Sequence, residues 1–171
     1  MNNYFVKNKN SKSGFTLIEV IVYLGIVSII LVSISYLIID IISGQSKSNA
    51  GQEVNYNIRL INNYLVRDID AASAIVSLSA STLVLDSVGN TITYNFDAIN
   101  KKLTRQLNSD SPVDLNTNKV EIVGSFTDLS YLNRAKNIKV NLTVDFKNPG
   151  NLPDYRYSFP AEFSVELRGR R

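Results

Sequence analysis

From Val20 to Ile39 the chain runs twenty residues without a charge. An apolar run of that length can cross the ~30 Å hydrocarbon core of a bilayer as a helix. A short, polar and basic leader precedes it and ends at Ser13-Gly14. Downstream, Val54, Ile58, Ile61, Leu65, Ile69 and Ala72 recur at steps of three and four, the spacing of one apolar helical face. No proline occurs before Pro112, so the pattern predicts one helix from near Phe15 to about Ala72. Its weak point is Ser43 to Gly51, where Gly44 and Gly51 each cost about 1 kcal/mol relative to Ala. A bend or a short non-helical linker is expected there.

After Ser73 the period becomes two. Thr82 to Asp86 and Thr91 to Asp97 read as strands joined by a Gly89-Asn90 turn, and Lys102 to Leu107 as a third strand after a turn at Ala98 to Lys101. Asn108 to Lys119, rich in Asn, Asp and Ser and carrying Pro112, reads as a loop, and Val120 to Val123 as a short strand. Ile138, Val140, Leu142, Val144 and Phe146 alternate with polar residues, the pattern of a long strand with one face buried. Tyr155 to Leu167 supplies the last strand, within which Pro160 marks an edge, a bulge or a break. The fold class that follows is α+β: a long N-terminal helix, membrane-spanning in its first half, packed by its outer half on a C-terminal antiparallel β-sheet.

Composition removes several chemistries. The 171 residues contain no Cys and no His, so disulfides, zinc sites built on those residues, Ser-His-Asp triads and Cys-His nucleophiles are excluded. No nucleophile and base, and no metal set, can be assembled, which argues against an enzyme and leaves no cofactor implied. The net charge of +3 is carried by the leader: without Lys7, Lys9 and Lys12 the 18 basic side chains fall to 15, against 15 acidic. A basic leader keeps residues 1–14 cytoplasmic and sends the carboxyl-terminal part across the membrane.

Glu19 sits just inside the apolar segment, where an ionised carboxylate facing lipid costs several kcal/mol. Cutting between Gly14 and Phe15 would create an α-ammonium four residues before it, able to neutralise it within one subunit or between neighbours. The run Lys12-Ser13-Gly14-Phe15-Thr16-Leu17-Ile18-Glu19-Val20, followed by the apolar span, resembles the class III signal of type IV prepilins and type II secretion pseudopilins. The resemblance covers about 25 residues and needs small residue, aromatic, Thr-Leu-hydrophobic-Glu and span to coincide. It implies cleavage after Gly14 by prepilin peptidase, N-methylation of Phe15, and subunit docking through Glu19. It also implies a pilin-like fold, other pilin or pseudopilin subunits and an inner-membrane assembly platform as partners, and a lipid bilayer as first location. The tip subunit of type II secretion commonly lacks the glutamate, so Glu19 implies that another subunit sits above this one.

The expected division is a leader at 1–14, a transmembrane and assembly helix at 15–39, an extracytoplasmic amphipathic helix at 40–72 and a β-sheet head at 73–171. The head resembles minor pilins and pseudopilins, of the J type of type II secretion or a competence counterpart. Gly25, with Ser28 and Ser33 or Ser35, offers small faces for close helix packing, or is simply the Gly and Ser that membrane helices tolerate. Asp110, Asp114, Asn116 and Asn118 alternate acid and amide as a calcium loop would, but lack the EF-hand Gly and the terminal Glu, so a solvated loop is the better reading. Asp68 and Asp70, two apart on a helix, face different sides and form no carboxylate dyad. Arg168, Arg170 and Arg171 form a basic tail that could meet DNA phosphates or headgroups, though a solvated end is the plainer account. The readings are therefore a filament subunit first, then a DNA-uptake or adhesive head that binds a ligand, then a plain single-pass anchored domain.

Overall fold

A computed structural model describes residues 14–131 and 136–168. Helix α1, Leu17–Ala71, is followed by β1 (Ala74–Leu78), β2 (Thr82–Ser87), β3 (Asn90–Asp97), β4 (Lys102–Leu107), β5 (Val113–Asp114), β6 (Val120–Asp128), β7 (Asn137–Phe146) and β8 (Ser158–Glu166), with a 3-10 turn at Pro153–Tyr155 before the last strand. The chain divides at Ile42 and Ser43 into two compact units.

In the first unit every large apolar side chain from Phe15 to Ile42 is exposed, and α1 is long and apolar enough to cross a membrane. A helix apolar on all sides has no water-facing stripe, which suits lipid rather than a soluble surface.

In the second unit the predicted helical face forms the core: Val54, Ile61, Leu65, Ile69 and Ala72 are fully buried, with Ile58 half-buried beside them. They pack with Leu83, Leu85, Tyr94, Leu103, Ile122, Ile138, Val140 and Val144 from the strands. The helix is unbroken through Ser43 to Gly51, where a linker was one expectation. Gly51 is not a breaker here. A Cβ at that position would lie 3.3 Å from the Tyr157 ring, so the glycine makes room for a close tertiary contact.

The strands form two antiparallel sheets where the sequence suggested one: β1-β2-β3-β4-β5 and β6-β7-β8. β2, β3 and β4 are the predicted meander, in the register Leu85↔Ile92 and Phe96↔Leu103. Its first turn is centred one residue earlier than expected: Ser87 pairs with Asn90, and Val88 and Gly89 take φ of 46° and 85°. Both values lie in the left-handed region that a two-residue type I′ hairpin requires.

Sequence reading missed β1, missed β5 inside the predicted loop, and stopped β6 at Val123, five residues short. Gly124-Ser125 reads as an end, yet β6 continues across the turns that close one end of the larger sheet: Ile122 N donates to Lys101 O and Phe126 N to Ala80 O. A Cβ on Gly124 would sit 2.6 Å from both the Phe96 ring and the Asn141 carbonyl, so only glycine lets the two sheets approach there.

Pro160 marks an edge. Phe146 N donates to Tyr157 O, so by antiparallel alternation the odd positions of β8 bond to β7 and Pro160, opposite Thr143, turns its nitrogen outward.

Candidate functional site

The N-terminal segment begins at Gly14 and Phe15, both exposed and ahead of the helix, with no atom within 4 Å of a Cβ built on Gly14. Phe15 is 77% exposed. A peptide bond in this position is open to a protease. Thr16 caps the helix: Glu19 N donates to Thr16 O at 3.1 Å and to Thr16 Oγ1 at 3.4 Å. Thr16-Leu17-Ile18-Glu19 thus has the spacing of a capping box, and an acidic residue in the first turn complements the positive end of the helix dipole.

The Glu19 carboxylate is half-buried and accepts a hydrogen bond from Tyr23 Oη at 3.2 Å, one turn further on. The Phe15 and Tyr23 rings meet edge to face at 6.5 Å. Phe15, Glu19 and Tyr23 therefore lie on one face at spacings of four. Sequence reasoning found Phe15 and Glu19 but passed over Tyr23 and the cap. The i, i+4 spacing of an acid and a phenol was the signal available for the first, and Thr-x-x-Glu for the second.

Along the apolar run, Ser28, Ser33 and Ser35 each donate to the carbonyl four residues earlier, at 2.7 to 2.9 Å. Their hydroxyls are satisfied inside the helix, and Gly25 has open space beside it.

In the second unit the polar clusters fix the fold. Asp68, 5% exposed, accepts from Tyr94 Oη at 2.6 Å, Arg105 Nε at 2.7 Å and Arg67 Nε at 3.0 Å. Burial alone would raise its pKa, but the bonds from Tyr94, Arg105 and Arg67 outweigh burial and hold the carboxyl below the usual range. The same contact, after burial, pushes the Tyr94 phenol well up. Asp70 faces elsewhere and pairs with Arg168 at 3.7 Å, so the two aspartates are indeed on different sides.

A second cluster ties the 115–119 loop to α1. Glu53 accepts from Thr117 Oγ1 at 2.7 Å, and Asn57 Oδ1 accepts from Thr117 N at 2.9 Å. The Thr117 bond, opposed by burial and aided by Lys119, holds the Glu53 carboxyl below its ordinary value.

Of the candidate calcium residues, Asn116 is buried and spends its amide on Leu103 N and on the Thr117 and Val120 carbonyls. Asp114 is paired with Lys102, while Asp110 and Asn118 are exposed. Among the described residues no group of three or more Asp, Glu, His or Cys side chains is gathered for a metal. Lys7, Lys9, Lys12 and Ser13 of the leader and Arg170 and Arg171 of the tail lie outside the described residues.

Residues 9–35 match the family described as the prokaryotic N-terminal methylation motif. No curated protein and no solved structure matches the chain. The chain thus carries the N-terminal signal of type IV pilins and pseudopilins, on a helix-then-sheet architecture of pilin-like kind. That motif marks a precursor, implies processing by prepilin peptidase and assembly with other pilins, and with the apolar helix indicates membrane anchoring.

Proposed function

We propose that this chain is the precursor of a minor pilin or pseudopilin. Residues 1–14 form a cytoplasmic leader that prepilin peptidase removes between Gly14 and Phe15, and Phe15 becomes the N-methylated amino terminus. Residues 15–39 form the transmembrane and assembly helix, 40–72 the extracytoplasmic amphipathic helix and 73–171 the head. The protein starts as a single-pass protein of the cytoplasmic membrane and passes, through an inner-membrane assembly platform, into a pilus or pseudopilus.

The observation that carries this reading is the position of Glu19 within the matched motif. The carboxylate lies in the first turn of a helix that starts at Leu17, immediately after an exposed Gly14-Phe15 bond. In the uncut chain its described partner is a neutral phenol, Tyr23. Cleavage supplies a cation. In a low-dielectric medium the attraction between the Phe15 ammonium of one subunit and Glu19 of its neighbour is strong, and a buried pair is best attested as a device that fixes register. Assembly would then depend on processing, because an uncut subunit offers no such ammonium.

The test is to express the chain with and without prepilin peptidase and follow its mass. With the peptidase, residues 1–14 are lost; without it, the chain still begins at Met1. A Glu19→Ala chain is cut normally and fails to enter filaments. A wild-type level of assembly by that variant, or an intact leader in the presence of peptidase, refutes the reading.

A further inference from the structure

We propose that Arg67 and Arg105, held in place by the buried Asp68, form a binding site for a phosphate-type oxyanion. The site lies wholly within the second compact unit.

Two distant segments supply it. Arg67 belongs to α1 and Arg105 to β4, yet one carboxylate joins them: Asp68 Oδ1 accepts from Arg67 Nε at 3.0 Å and Oδ2 accepts from Arg105 Nε at 2.7 Å. The Tyr94 hydroxyl takes a second place on Oδ2 at 2.6 Å. A single anion thus stands between two guanidiniums, and neither guanidinium gives up its proton at any ordinary pH. The cluster keeps a surplus of one positive charge. Asp70, the other acid of this stretch of helix, pairs with Arg168 instead.

The donors left over set the class of ligand. Each arginine spends its Nε on Asp68, and among the described residues no oxygen is hydrogen-bonded to the Nη groups of either one. Both guanidiniums sit on Tyr64, with Cζ 4.9 and 5.8 Å from the ring centroid, and the Tyr64 hydroxyl has no hydrogen-bond partner among the described residues either. The site therefore offers N–H and O–H donors and a net positive charge, the complement of an oxyanion. Three donor groups on three side chains suit a tetrahedral oxyanion, which has an oxygen for each, better than a carboxylate with two.

Burial and order decide how strongly such an ion is held. The Arg67 side chain is 62% exposed, and a cation that open is screened by water and salt. Arg105 is only 21% exposed, so its attraction for an anion is less screened while solvent still reaches it. Asp68 and the Tyr64 ring also orient both guanidiniums before a ligand arrives, which reduces the side-chain entropy lost on binding. Asp68 acts here as a positioning residue.

The test is to melt the full chain in dodecyl maltoside, followed by circular dichroism, in chloride and in inorganic phosphate at matched ionic strength and pH 7. A ligand that binds only the folded state raises the Tm. Phosphate also stabilises folded proteins by exclusion from their surface, so the quantity read is the part of its increment that Arg67→Gln removes. Wild type should gain a few degrees in phosphate or sulfate and less in acetate. Arg67→Gln should lose most of that gain, and Arg67→Lys, which keeps the charge without the fork, should retain part of it. Arg59→Gln removes an exposed cation about two turns earlier on the same helix and should retain all of it. Each variant is compared with itself in the two salts, so a lower starting Tm does not enter the result.

Dimethyl phosphate separates the sources. A gain with it as well as with inorganic phosphate assigns the singly charged diester that headgroups and nucleic-acid backbones carry; a gain with inorganic phosphate alone assigns a free or terminal phosphate. Equal gains in wild type and Arg67→Gln overturn the proposal. So do equal losses in Arg67→Gln and Arg59→Gln, which mark a diffuse charge effect, and acetate as effective as phosphate.

Discussion

Replacing Asp68 by Asn would leave the Arg105 guanidinium facing a neutral amide in a site where the native carboxylate is almost fully buried. Breaking such a pair from one side is expensive, so Asp68→Asn should lose roughly 2–4 kcal/mol of stability. Thermal unfolding of the detergent-solubilised chain, followed by circular dichroism, reads this as a lower Tm. The same residue sets an acid limit. The folded carboxyls of Asp68 and Glu53 lie below their ordinary values of 3.8 and 4.5, so in acid the unfolded chain binds more protons than the folded one. Their contribution is complete above those ordinary values and is lost as pH falls through them toward the lowered folded values. A Tm profile from neutral pH to pH 3 should therefore decline at its acid end, and Asp68→Asn should decline less steeply there. Little of this was legible beforehand. Asp68 was recognised as facing away from Asp70, but two of its three partners come from β3 and β4, 26 and 37 residues away.

At the scale of elements, period was a sound guide wherever burial alternated and a poor one wherever glycine met a neighbouring element. The helical face from Val54 to Ala72, the meander and the long β7 all follow from spacing of apolar side chains. β6 does not, because Gly124 looks like a terminator until Phe96 is seen against it. Gly124→Ala should accordingly cost about 1–3 kcal/mol through overpacking, read as a lower Tm. Pro160 leads to a different expectation. Its nitrogen faces the free edge of β8, and a proline there blocks pairing with another strand. Pro160→Val restores an edge N–H, and light scattering should show greater self-association at unchanged secondary structure.

For the whole molecule, the division at Ile42 and Ser43 predicts that assembly and head stability can be separated by mutation. Glu19→Ala should leave the Tm of the head unchanged while abolishing filament incorporation; Asp68→Asn should lower that Tm while the leader is still removed by the peptidase. A mass spectrum and a melting curve on each variant check both halves. The sequence by itself determined the apolar span, the acid placed within it, the methylation motif and the amphipathic helical face, because each is a local pattern whose physics depends on residue type and spacing along one chain. Only the tertiary structure decided that the strands form two sheets, that Gly51 and Gly124 are close contacts instead of breaks, that Asp68 is a buried anchor, and that Arg67 and Arg105 meet on it. Those outcomes depend on which distant segments fill the space next to a residue, and spacing along the chain carries no record of that.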